Sequence, residues 1–382
     1  YLACLEYIPV NRINNEFMGL GFRMERRRIQ LVGRSTLTVS LPASWVKRVG
    51  LKKGDLVLLS PEKDGSLRIF QSPGVATKGI SSTLIINSDL CRDKGLIGRL
   101  ITAGYVKGFD VIKIVSPNRI DGESLEAIRE AEIKLIGLSI IEETPSSVVL
   151  QCSMNPALFP MDVVIHRLYS LFSTILDDAL KALMDSNVEL AKEAQRRERE
   201  ANRIYALILR LLNQAQANPA ISQRIGIYDS GSILSIVLIA NVLERMADWA
   251  NKVAGDVIRI EASGGWVSDR IKARIWEYSN KIKGVCDMVM KSAFNYDSKM
   301  ANAAINLFEE YSKEAYDIID DLPIENIYHG FGELRHIVLA LHRIGEISIS
   351  IAEAAIDSAV EKDGLCKIET RGPDSRDADG IE

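Results

Sequence analysis

Between positions 158 and 360 apolar residues recur every three to four places, the period of helices that bury one face. The pattern predicts long helices at Leu158–Met184, Asn187–Asn213, Ser230–Ile260, Val267–Tyr296, Ser298–Asp321 and Phe331–Val360. Their connections are short and carry Gly, Pro or Asn, as antiparallel bundles require. Upstream the rhythm is different. Ile29, Leu31, Leu37, Val39 and Leu41 alternate with Arg28, Gln30, Thr38 and Ser40, which predicts strands. Pro42 ends that stretch and opens a short helix over Ala43–Val49, followed by strands at Leu56–Ser60 and Leu67–Phe70 about a Lys63-Asp64-Gly65 turn. After a Gly/Ser-rich link at Ser72–Ser82, strands at Leu84–Ile86, Val111–Val115, Ser139–Glu142 and Val148–Gln151 alternate with helices at Lys94–Val106 and Leu125–Ile136. That alternation predicts a small α+β domain of ferredoxin-like size.

One helical phrase occurs twice. Leu243-Glu244-Arg245-Met246-Ala247-Asp248 returns as Leu341-His342-Arg343-Ile344-Gly345-Glu346, with similar apolar flanks (Ile236–Leu238 and Ile337–Leu339; Val253-Ala254 and Ile351-Ala352). Such repetition indicates two copies of one three-helix unit. Glu244/Asp248 and His342/Glu346 are each four apart and share a helix face. Placing Asp185-Ser186 over Asp297-Ser298 puts Glu198 over Glu310 and Asn202 over Glu314, again pairs four apart. Glu198, Asn202, Glu244 and Asp248, and in the second copy Glu310, Glu314, His342 and Glu346, are therefore candidate ligands for hard cations or iron between neighbouring helices. Asn241 and Asn251 extend the first stripe. The alternative is solvated charge, with Glu244 paired to Arg245 or Arg199 and His342 packed or capping. No Ser/His/Asp or Cys/His grouping suggests nucleophilic catalysis.

Composition changes this picture in one respect. The 382 residues are 47% hydrophobic and 26% charged, with a net charge of −4. From Met24 to Phe70, however, ten Lys/Arg face four acids, and from Pro156 to Asp363 there are 23 basic and 30 acidic residues. A basic head on an acidic body implies two kinds of partner, nucleic acid being the natural one for the head. Arg26, Arg27, Arg28, Gln30, Arg34 and Ser35 combine cations with hydrogen-bonding side chains that suit phosphates and base edges. A head of this size holds too few apolar side chains to fold alone and is expected to dimerise. The five scattered cysteines form no C-x-x-C pair, which fits a reducing cytosol. The longest apolar run, Ile233–Leu243, contains Ser235 and Asn241 and is too short and polar to span a bilayer.

Two resemblances sharpen the reading. Gly33-Arg34-Ser35, Val39-Ser40-Leu41-Pro42, Gly50-Leu51 and Lys53-Gly54-Asp55-Leu56-Val57 resemble the AbrB/MazE/SpoVT family of swapped-hairpin DNA-binding domains. That resemblance implies a barrel interleaved from two chains, with Arg28, Gln30, Arg34 and Ser35 on DNA and Arg26, Arg27, Lys47 and Arg48 in support. Glu244-Arg245-Met246-Ala247-Asp248 resembles the motif that ends each three-helix repeat of PhoU, and Arg197–Tyr205 its partner helix, with Asn202 where aspartate is usual. His342 and Glu346 depart from the motif. The resemblance implies metal (iron, zinc or manganese), more firmly on the first repeat than on the second.

The expected fold is multidomain and mainly α: a swapped-hairpin β head, a small α+β (ferredoxin-like) middle domain and a pair of three-helix PhoU bundles. Expected boundaries are 1–25 (a disordered extension), 26–71, 82–154, 156–262, 266–363 and 364–382 (a disordered tail). The expected function is that of a cytoplasmic, non-enzymatic phosphate-homeostasis regulator, similar to archaeal phosphate-uptake regulators, without membrane insertion. Its partners would be DNA, a second copy of itself and the ATPase subunit of the phosphate ABC transporter. One alternative is an adaptor that docks on that ATPase without binding DNA. Another, a di-iron or di-manganese redox bundle, needs a pair of E-x-x-H motifs, and the sequence holds no such pair.

Overall fold

The computed structural model describes residues 25–61, 65–71, 82–91, 93, 95–229, 231–322, 330–360 and 365. Residues 1–24, the centre of the Lys63-Asp64 turn, most of the Gly/Ser-rich link and the tail apart from Leu365 lie outside the described residues. The chain divides into two compact units, Tyr1–Ile80 and Ser81–Glu382.

In the first unit β1 (Gln30–Val32) and β2 (Thr36–Thr38) form an antiparallel hairpin with Leu31 opposite Leu37. Gly33 turns the chain between them at φ 69, a left-handed conformation that glycine adopts without strain. Pro42 caps α1 (Ala43–Val49), its φ of −60 already suited to helix entry, and Gly50 closes that helix in the left-handed region by donating to the Val46 carbonyl. β3 (Val57–Pro61) and β4 (Leu67–Gln71) make a second antiparallel ribbon. Among the described residues the two ribbons are not joined into one sheet. Their apolar side chains stand open: Ile29 is 68% exposed, Leu31 64%, Leu37 67% and Leu56 74%.

The second unit begins with β5 (Thr83–Asn87), α2 (Leu96–Val106), β6 (Val111–Val115), α3 (Gly122–Lys134), β7 (Leu138–Thr144) and β8 (Ser147–Cys152). The sheet runs β5-β6-β8-β7, with β5 and β6 parallel and the remaining pairs antiparallel. Ile86, Ile112, Ile114, Val148 and Leu150 pack against Ile97, Ile101, Tyr105 and Ile128 to form its core. The α+β character and size agree with expectation, but the chain order is strand-helix-strand-helix-strand-strand. A ferredoxin-like domain places a helix before its last strand. Here Thr144 pairs directly with Ser147, so only Pro145 and Ser146 remain for the connection and no helix fits there.

The helical body follows: α4 (Met161–Asp185), α5 (Val188–Ala217), α6 (Pro219–Arg224), α7 (Ser232–Ala262), α8 (Asp269–Asn295), α9 (Ser298–Asp320) and α10 (Phe331–Ala359). The six long helices lie where periodicity places them. The short α6, capped by Asn218 with Pro219 in its first turn, was not expected, because six residues show no period. α4, α5 and α7 form one three-helix set and α8, α9 and α10 the other, with α7 packed along α10 between them. One continuous apolar core runs through both sets. The middle domain is fastened to the first set by Arg210 of α5, which is 2% exposed. Its Nη1 donates to the carbonyls of Tyr105 (2.7 Å), near the C-terminus of α2, and Phe109 (2.9 Å), in the loop that follows.

Candidate cation and DNA-binding sites

Two-residue turns set the registers of both repeats. Ser186 ends α4 in the left-handed region and Asn187 caps α5 by accepting from the Leu190 amide. Tyr296 and Asp297 do the same between α8 and α9, Asp297 accepting from the Met300 amide. The paired amides of Asn187 and Asp297 reach the carbonyls of Ala182 and Ser292. Ser186 therefore corresponds to Tyr296 and Asn187 to Asp297, which makes Glu198 the counterpart of Phe308 and Asn202 that of Ser312. This corrects the register expected for Glu310 and Glu314. The shared Asp-Ser dipeptides misled because Asp185 closes α4 whereas Asp297 is the cap of α9.

On the first repeat Glu198, Glu244 and Asp248 stand near enough to influence one another's charge, and Asn202 is bonded to Glu198. Asn202 Nδ2 donates to Glu198 Oε1 on α5. Across on α7, burial first and then the charges of Asp248 and Glu198 together lift the Glu244 carboxyl to about 7. Asp248 is raised by burial, partly offset by Lys252, and Glu198 is raised by burial and by Asp248 but lowered by the Asn202 hydrogen bond. Among the described ion pairs Glu244 takes part in none; Arg245 lowers its pKa only as a minor opposing influence. Asn251, one turn beyond Asp248, keeps a buried Oδ1 without a hydrogen-bond partner, and Asn241 donates to the Tyr205 hydroxyl at 3.2 Å. The donor chemistry, three mutually repelling carboxylates and amide oxygens, fits a hard divalent cation. As the side chains stand, no three of His, Cys, Asp or Glu among the described residues converge closely enough to enclose one. Glu198 instead faces Asn202.

The second repeat does not assemble an equivalent group. Glu314 is paired with Lys281 of α8 at 2.9 Å, Glu346 with its own neighbour Arg343 at 2.5 Å, and Glu310 lies exposed. His342 stacks on Phe308, ring centroids 5.4 Å apart, with Tyr316 edge-on at 5.8 Å and the Tyr278 hydroxyl 3.4 Å from its Nδ1. Burial lowers the His342 pKa, so the ring is held toward its neutral form. Sequence reasoning missed Phe308, Tyr278 and Arg210. The buried position of Phe308 in the period of α9 was the available signal.

In the head, Gln30 lies on β1 opposite Thr38, whose hydroxyl donates to the Gln30 carbonyl at 3.3 Å. Arg34 and Ser35 occupy the exposed β1–β2 turn, Arg26, Arg27 and Arg28 the exposed approach to β1, and Lys47 the exposed side of α1. Arg27 pairs with Glu25. Arg48 lies on α1, its side chain outside the described residues. The cations thus line the hairpin and its entry, where a polyanion could reach them.

Residues 165–257 match the family model of the PhoU domain, and residues 30–75 that of "Antidote-toxin recognition MazE, bacterial antitoxin". The chain thus joins a PhoU-like helical body to a MazE/AbrB-like head, the architecture its motifs resemble. The first match contains Glu198, Asn202, Glu244 and Asp248 and ends before the second repeat. No curated protein matches the chain. Among the described residues no helix is long and apolar enough to cross a membrane.

Proposed function

We propose that this protein is a cytoplasmic, non-enzymatic regulator of phosphate homeostasis that binds DNA as a homodimer through its hairpin head and senses phosphate status through its helical body. The observation that carries the reading is the union, in one chain, of a basic MazE-like head with a PhoU-like body bearing an acidic stripe whose carboxylates raise one another's pKa. Dimerisation is supported by the open apolar faces of the head ribbons, because isolated two-stranded hairpins are marginal in water. A second copy would cover Leu31, Leu37 and Leu56.

In the body, Glu198, Asn202, Glu244 and Asp248 would hold the cation. Oxygen-only donors favour manganese or iron over zinc. A bound cation would cancel the carboxylate repulsion and present positive charge to an oxyanion such as phosphate. The ATPase subunit of the phosphate transporter is the proposed protein partner of the same body. Coupling requires that occupancy of the body change DNA affinity.

The test is the salt dependence of DNA binding by the full chain. Each phosphate contact releases counterions, so log affinity should fall linearly with log salt, with a slope of about −0.9 per contact. Replacing Arg28 and Arg34 by alanine should flatten that slope by about 2. A slope near zero would favour the adaptor that docks on the transporter ATPase without touching DNA.

A further inference from the structure

We infer that the second repeat has surrendered its cation position to a packed aromatic cluster, so that any cation is held by the first repeat alone. The inference rests on the cation reading above and deepens it. Phe308 stands where Glu198 stands in the first repeat, and His342 where Glu244 stands. Phe308 is 9% exposed and stacked on His342. Its ring is admitted by Gly345, the counterpart of Ala247. A Cβ on Gly345 would meet Phe308 Cε2 at 2.5 Å and Ile282 Cδ1 at 3.0 Å. The first repeat shows the complementary arrangement: Ala247 is tolerated, the large ring is Phe172 on α4, and its counterpart on α8 is the smaller Ile282. One aromatic ring has moved from the outer helix to the helix that would otherwise carry the acid, and a methyl group has been removed to receive it. Of the expected carboxylates there, Glu314 is paired with Lys281 and Glu346 with Arg343, while Glu310 lies exposed. Such compensated exchanges of volume are how a core tolerates large substitutions.

Two measurements on the full chain decide it. The first is elemental analysis after equilibration with manganese(II) and dialysis, for the wild type, Glu244→Ala/Asp248→Ala and His342→Ala/Glu346→Ala. The inference expects the wild-type content to vanish in the first variant and to persist unchanged in the second. A loss of manganese in His342→Ala/Glu346→Ala would overturn it. A wild type that binds none would sink the cation reading of the first repeat and with it the confinement of a cation there. The aromatic seal is judged separately by melting temperature in a double-mutant cycle of Gly345→Ala and Phe308→Ala. Gly345→Ala should lower the melting temperature in the wild type and much less beside Phe308→Ala, whereas strictly additive losses would refute the seal.

Discussion

Glu244 is the residue on which proton, proposed cation and stability meet. Its carboxyl is raised from 4.5 to about 7, first by burial and then by Asp248 and Glu198. Between those two values the folded state holds a proton that the unfolded state has released. Stability is therefore greatest below pH 4.5 as far as this group is concerned, and falls as pH rises toward 7. In cation-free protein Glu244→Gln should remove that decline and raise stability at pH 8 by on the order of 1 kcal/mol, after allowance for solvent screening. Thermal melts at pH 5 and pH 8 check this; a variant that declines as steeply as the wild type would refute it. The same proton competes with any cation, so cation affinity should strengthen as pH rises through 7. An affinity flat between pH 6 and 8 would contradict Glu244 as a ligand.

Helices and strands show how far the sequence could be read, and where it could not. Periodicity placed α4, α5, α7, α8, α9 and α10 because each buries one face over many turns, and Pro42 and Gly50 marked the ends of α1 through their backbone preferences. The face shared by Glu244 and Asp248 was legible for the same reason. The partner register of α9 was not. Two identical Asp-Ser dipeptides occupy different cap positions, and only the left-handed turns at Ser186 and Tyr296 show which residues correspond. The strand order of the middle domain was equally hidden, since pairing partners leave no period in the chain. Arg210 was invisible because a buried cation that donates to backbone carbonyls of another domain looks like any other Arg in a helix. Its removal takes a charged donor from both carbonyls at the joint between α2 and α5, where Tyr105 keeps the Gly108 amide. Arg210→Ala should thus cost about 3 kcal/mol, by the magnitude of losing charge-assisted bonds at a buried site. Chemical denaturation would register the loss, and a change below about 0.5 kcal/mol would show that the joint is held by apolar packing instead.

For the whole molecule, the division of charge and the division of fold coincide. The basic unit carries hairpins with exposed apolar side chains, and the acidic unit carries a large continuous core. The proposed function places assembly and sensing in different units. The most direct test of the proposed coupling is the affinity of this chain for promoter DNA, measured with and without manganese(II) and with and without inorganic phosphate. Wild type and Glu244→Ala/Asp248→Ala are compared at one fixed ionic strength. The account predicts at least a fivefold shift in wild-type affinity, the scale of ~1 kcal/mol of coupling, and no shift in the variant. Tight DNA binding that is identical under every condition and in both proteins would contradict it.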